Sequence, residues 1–169
     1  MFWKLTASPI GPLILTSDKD SITGLWMLSH RKLPHFPPQE PYGLLPVFQD
    51  AEQWLHAYFT GSALPPLPPL SPEGTPFQKA VWAQLLEIPY GRSTTYGSLS
   101  KRLQEQGISS SPQAVGGAVG RNPISILIPC HRVLGTGGTL TGYAGGLARK
   151  RALLQLEKIK FYDTREAGQ

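Results

Sequence analysis

The chain is short of the residues that staple or anchor proteins. It has one cysteine in 169 residues, so no disulfide framework can form within it. No apolar run approaches the ~20 residues that a membrane helix needs. The opening stretch MFWKLTASPIGPL lacks the basic start and apolar core of a secretory signal, and a soluble cytoplasmic protein is the expectation. Phosphate-binding loops are missing too. No G-x-x-x-x-G-K-[ST] occurs, and Leu140 stands where a G-x-G-x-x-G run would need its last glycine. His30, His35 and His56 have no cysteine or close histidine partner, so neither a metal nor a cofactor is expected.

Acidic residues are scarce in one half only. Residues 1–70 carry 4 Lys/Arg against 5 Asp/Glu, whereas residues 71–169 carry 12 against 6. A basic half joined to a near-neutral half fits either a polyanion partner for the second half or a merely soluble basic surface.

Proline marks the boundary. The run LPPLPPL at 64–70 removes donors and favours extended backbone, so it reads as a semi-rigid linker. A second proline-dense stretch, from Pro34 to Pro46, reads as a loop. Three runs before the linker (2–6, 13–16 and 22–28) have strand character, with Gly11-Pro12 and 17–20 as turns. Phe48, Ala51, Trp54, Leu55, Tyr58 and Phe59 then share one face of a helix that ends near Gly61. The fold class is therefore α+β: a small antiparallel sheet with one helix over 1–70, of structural role, and a mainly helical unit over 71–169.

The second unit has clear start and stop signals. Thr75-Pro76-Phe77-Gln78 is a capping box with proline at the first helical position, and Pro89 closes that helix. A second helix runs from about Tyr96 to Gln106, with Gly107 behind it, and a third begins at Ser111-Pro112 and stops at Asn122-Pro123. Two short helices joined by a turn suggest a helix-turn-helix. The third helix contains Gly116 and Gly117, which weaken it by about 1 kcal/mol each relative to alanine. Tight helix packing or close approach to a ligand or DNA groove would each explain them. The six glycines between 135 and 146 require a loop or hairpin, and a last helix runs from near Gly146 to Lys158.

Cys130 lies at the end of the apolar run ISILIP and is followed by His131 and Arg132. A lone buried cysteine is most often a small apolar side chain. Here proline constrains its backbone, and two protonatable or cationic neighbours can help to ionise it. Burial alone raises a thiol pKa and only the thiolate attacks well, so a base is required. His131 is the nearest candidate, directly or through a water, and Glu157 could fix its tautomer.

The run NPISILIPCHRV at 122–133 resembles the active-site signature of the O6-alkylguanine-DNA alkyltransferases, the methylated-DNA–protein-cysteine methyltransferases. GTPFQKAVWAQLLEIPYG (74–91), TTYG (94–97), AVGGAVGRNP (114–123) and TGYAGGLARKRALLQLE (141–157) match in the same order. Residues 1–70 resemble the family only in layout. The resemblance implies direct reversal of DNA damage. The alkyl group on O6 of guanine, and by extension O4 of thymine, passes once and irreversibly to Cys130. It implies that His131 activates Cys130 through a water while Glu157 holds His131, that Asn122 braces the active-site turn, and that Tyr96 crowds the phosphate and approaches the flipped base. Tyr143 would wall the base pocket. Main-chain groups of Cys130 and Val133 would read the guanine edge, the Ala144 amide would face O6, and Lys150 matches a lysine near the site. The third helix, with Gln113, Ala114, Gly116, Gly117 and Arg121, would enter the minor groove of double-stranded DNA. A monomer is expected, with clustering on DNA left open.

A base still stacked in the duplex hides its O6 alkyl carbon from a protein thiolate, so the nucleotide must come out, at a cost of a few kcal/mol. The family usually has an arginine just before AVGG, facing the orphaned cytosine, where this chain has Gln113, with Arg121 as a candidate substitute. The connection QGISSSP between the two helices is also a few residues longer than usual. Three other readings compete: a lesion-binding alkyltransferase-like protein, which would lack the cysteine; a helix-turn-helix regulator that senses alkylation; and a cysteine hydrolase, which would need an oxyanion site.

Overall fold

The computed structural model describes residues 1–30, 33–36 and 45–163. The loop expected from Pro34 to Pro46 lies largely outside them. The first half is a three-stranded antiparallel sheet, β1 (Phe2–Thr6), β2 (Leu13–Ser17) and β3 (Ile22–Met27), in that order. Leu15 faces Leu25 across β2 and β3, and the register slips at Thr16/Ser17.

Helix α1 (Pro46–Thr60) packs on this sheet. Its apolar face buries Phe48, Ala51, Trp54, Leu55 and Tyr58 against Leu13, Leu15, Ile22, Leu25 and Met27. Each such large side chain contributes roughly 1.5–3 kcal/mol when fully buried. Gly61 caps the helix in the left-handed region at φ 70°, where a side chain would be strained.

The proline run does more than separate two halves. Ile22 N–H donates to the Pro69 carbonyl and Ser71 N–H donates back to Ile22, both at 2.8 Å. The end of the linker is thus pinned to β3. Further on, Leu25 N–H donates to Pro123 at 2.9 Å and Ser125 N–H donates to Leu25. A single apolar cluster runs from Leu13 to Leu153 and takes in residues of both halves.

The second half contains α2 (Pro76–Leu86), the short β4 (Thr94–Thr95), α3 (Tyr96–Glu105), α4 (Pro112–Gly120), the short β5 (Val133–Leu134) and α5 (Leu147–Leu156). The capping box at Thr75 and Gln78 is formed. Thr95 and Ser111 cap α3 and α4 through their hydroxyls. Trp82 of α2 ties down α4 by donating Nε1–H to the Ala118 carbonyl at 2.8 Å. Residues 135–146 form no hairpin; they make a loop with tight turns at 136–138 and 143–146. That loop lies on the first half. A Cβ at Gly145 would stand 2.3 Å from the Met27 sulfur, so any side chain there would have to displace Met27, and the Gly145 carbonyl takes the Ser29 hydroxyl at 2.8 Å. No helix among the described residues is long and apolar enough to cross a membrane.

Candidate active site

The site is built around an irregular segment, residues 124–129, that is clamped into shape. Ile124 to Cys130 are buried or nearly so. Ile126 adopts φ 71°, a genuine outlier for a β-branched residue, which needs outside support. Asn122 supplies it. Its amide donates to the Ile128 carbonyl at 2.9 Å and its oxygen accepts from Ile124 N–H at 3.0 Å. Cys130 then opens a single helical turn, 130–132.

Cys130 is 5% exposed and lines a cleft of about 840 Å³. Tyr96, Tyr143, Ala144, Gly116, Asn122 and Arg121 line it as well. Burial pushes the thiol up, and hydrogen bonding from Asn122 and the positive charge of Lys150 pull the other way. The resting thiol is therefore protonated. Arg132 does not relieve this, contrary to what its position two residues on suggests. Its guanidinium turns away to the Glu157 carboxylate (2.8 Å) and the Ile88 carbonyl (2.7 Å), because a buried guanidinium needs acceptors more than a thiol does.

Behind Cys130 stands a fully donor-saturated carboxylate. Glu157 caps α5. Its Oε1 accepts from Arg132 Nε and from Gly91 N–H at 3.0 Å. Its Oε2 accepts from the Tyr58 hydroxyl at 2.7 Å and from His131 Nε2. Two carboxylate oxygens offer about four acceptor sites, and all are used. Burial alone would raise the Glu157 pKa, but these donors and His131 hold it at about 2.

His131 is 0% exposed. Burial lowers its pKa, with Glu157 opposing and Arg132 and Lys150 assisting. With Nε2–H committed to Glu157, the neutral ring leaves Nδ1 as an acceptor, and Nδ1 has no partner among the described residues. That is the arrangement of a base held ready in one tautomer.

Lys150, 1% exposed, donates to the Val133 carbonyl at 2.7 Å. Burial brings it down to about 8, with Cys130 opposing. Val133 is fully buried and outside the cleft lining, so its carbonyl meets Lys150 rather than open space. The buried Tyr143 hydroxyl has no hydrogen-bond partner among the described residues. The Tyr96 hydroxyl is 2.9 Å from Thr141 Oγ1.

The helix-turn-helix pair is α3 and α4, connected by 106–111. The outer face of α4 exposes Gln113, Ala114, Gly117 and Gly120, and Arg121 follows at its end. A Cβ at Gly117 would meet nothing within 4 Å, so helix packing does not require that glycine. At Gly116 a Cβ would touch the Tyr96 ring at 3.7 Å, an ordinary contact.

The first half also contributes side chains, which its sequence did not suggest. Trp26, Ser29 and His30 line the cleft, and Tyr58 reaches Glu157. His30 Nε2 lies 3.4 Å from the Ser125 hydroxyl. No group of three or more metal-ligating side chains occurs among the described residues.

Residues 1–67 match the family model described as 6-O-methylguanine DNA methyltransferase, ribonuclease-like domain, and residues 76–159 match the one described as its DNA binding domain. The chain is 46% identical over 168 residues to the methylated-DNA–protein-cysteine methyltransferase of Haemophilus influenzae, covering 96% of this chain and 89% of that one. It is 42% identical to the protein of that description from Methanosarcina acetivorans, over 93% of this chain and 98% of that one. The crystal structure of Mycobacterium tuberculosis OGT in complex with DNA superposes with a TM-score of 0.82 at 44% identity, covering 94% of this chain and 93% of that chain. With both halves matched and a buried Cys130-His131-Glu157 array at their junction, the chain belongs to the methylated-DNA–protein-cysteine methyltransferase family.

Proposed function

We infer that the protein repairs DNA by direct reversal, transferring an alkyl group from O6 of guanine to Cys130. The observation that carries the reading is a lone cysteine on the wall of a cleft wide enough for a base, followed in the chain by a buried histidine whose Nδ1 has no hydrogen-bond partner among the described residues. The steps balance without a cofactor. The Cys130 proton passes to His131 Nδ1, directly or through a water. The thiolate attacks the alkyl carbon, an S–C bond forms and the C–O6 bond breaks. The departing guanine takes a proton, for which the Tyr96 hydroxyl is the proposed donor, and the proton held on His131 returns to Tyr96 through solvent. Lys150 and the protonated histidine stabilise the developing charges. The thioether resists hydrolysis, so each molecule acts once.

Duplex DNA is the partner. The basic second half supports phosphate contacts that are salt-dependent and blind to sequence. The small-sided outer face of α4 supports close approach to the minor groove, with Gln113 facing the orphaned cytosine and Arg121 as its candidate substitute. A monomer is the proposed acting form. The test is a duplex carrying labelled O6-methylguanine. Stoichiometric label on the protein, lost in Cys130→Ala, is expected. Lesion binding with no label transferred would leave only recognition, and catalytic release of label would indicate a hydrolase.

A further inference from the structure

The first half supplies one side chain that its packing does not explain. Tyr58 is 1% exposed in the last turn of α1. Its ring stacks on Trp54 at 5.3 Å and meets Phe59, Tyr90 and His131 edge-on. Phenylalanine would fill that space equally well. The hydroxyl is the costly part, since burying one without a partner costs about 1–3 kcal/mol. It is spent on Glu157 Oε2, the same oxygen that receives His131 Nε2–H.

We propose that Tyr58 is a positioning residue for alkyl transfer: its hydroxyl fixes the second oxygen of Glu157 and thereby the tautomer and orientation of His131. The inference rests on Cys130 being the alkyl acceptor. Arg132 and the Gly91 amide pin Oε1. Tyr58 pins Oε2. The carboxylate then cannot rotate, and the imidazole Nε2 is held between Oε2 and the Tyr58 hydroxyl, which lies 3.3 Å from it. The contact has a second effect. Oε2 divides its lone pairs between two donors, so it pulls less hard on the His131 proton. The base stays neutral and its Nδ1 stays free. The charged and titratable groups around His131 are Glu157, Arg132 and Lys150, with Tyr58 against its ring and Tyr90 beyond, beneath the Arg132 guanidinium. Of these, Tyr58 alone comes from the first half, so α1 takes part in the chemistry.

The test uses the full chain and single-turnover transfer from an O6-methylguanine duplex, followed between pH 5.5 and 9. Tyr58→Phe should slow transfer roughly tenfold near neutrality, the effect of one hydrogen bond to a charged group. It should also move the acid limb of the rate profile upward, because an undivided Glu157 makes His131 more basic. Affinity of the Cys130→Ala form for the same duplex should not change when Tyr58→Phe is added. In a Glu157→Gln background the substitution should have little further effect. Should Tyr58→Phe fold poorly, a fluorinated tyrosine at position 58 keeps the ring and strengthens the donor, and the acid limb should then move downward. A lowered melting temperature with an unmoved rate profile would overturn the proposal. So would full additivity with Glu157→Gln. Wild-type protein that takes up no label would instead remove the alkyl-transfer reading itself.

Discussion

Lys150 Nζ donates to the Val133 carbonyl at 2.7 Å and forms no ion pair with a carboxylate among the described residues. A buried ammonium with only carbonyls around it is poorly compensated, and burial has already brought it down to about 8. The anion that would compensate it is the Cys130 thiolate. Lys150→Met should therefore slow transfer by about tenfold at neutral pH, equivalent to one unit in the thiol pKa. The rate profile should shift to higher pH. Single-turnover rates between pH 6 and 9.5 would check both.

Acid should dismantle the site before the rest of the fold. Glu157 is held at about 2 against an ordinary 4.5, so the unfolded chain binds more protons between those values. Its contribution is complete above about pH 4.5 and is lost as pH falls towards 2. His131 lies below its ordinary 6.5, which also favours the unfolded state on acidification. Urea midpoints at pH 7, 5 and 4 should fall in that order, and Glu157→Gln should flatten the dependence. At pH 7 Glu157→Ala, which strands Arg132, should cost on the order of 3–5 kcal/mol.

Asn122→Ala removes the clamp on the 124–129 segment. It leaves the buried Ile124 N–H without a partner, at about 1–3 kcal/mol, and takes away one of the two donors to the Ile128 carbonyl, which keeps Cys130 N–H at 2.8 Å. The left-handed backbone of Ile126 then has less to hold it. Stability and transfer rate should fall together, measured by urea unfolding and by labelling of Cys130.

Gln113 is exposed on α4, so its replacement should shift stability by no more than about 0.5 kcal/mol. Gln113→Arg should speed repair of duplex DNA by roughly 2–10-fold, the range of one added hydrogen bond. Reaction with free O6-benzylguanine should be unchanged. Equal rates on duplex for both forms would show that Arg121 already serves.

The parts legible in the sequence were those written locally. Thr75, Ser111, Gly61 and Pro123 each mark a helix end within a few residues, and the helices fall there. The Cys130-His131 pair and Glu157 could be read as a unit because motif and order carry them. Tyr58 could not. It occupies an apolar stripe like its neighbours and lies 99 residues from Glu157, so nothing nearby distinguishes its hydroxyl from a core ring. Arg132 misled for the same reason. Adjacency to Cys130 suggested an electrostatic role, whereas a carboxylate 25 residues away and the Ile88 carbonyl claim its side chain.

The Leu25–Pro123 and Ser125–Leu25 backbone bonds tie the loop bearing the nucleophile to a sheet that other criteria would treat as a separate scaffold. A fragment starting after residue 70 would lose the partners of that loop. It would also divide the apolar cluster that both halves share, exposing buried side chains and inviting aggregation. Swapping either half for a distant relative's would therefore require rematching their seam.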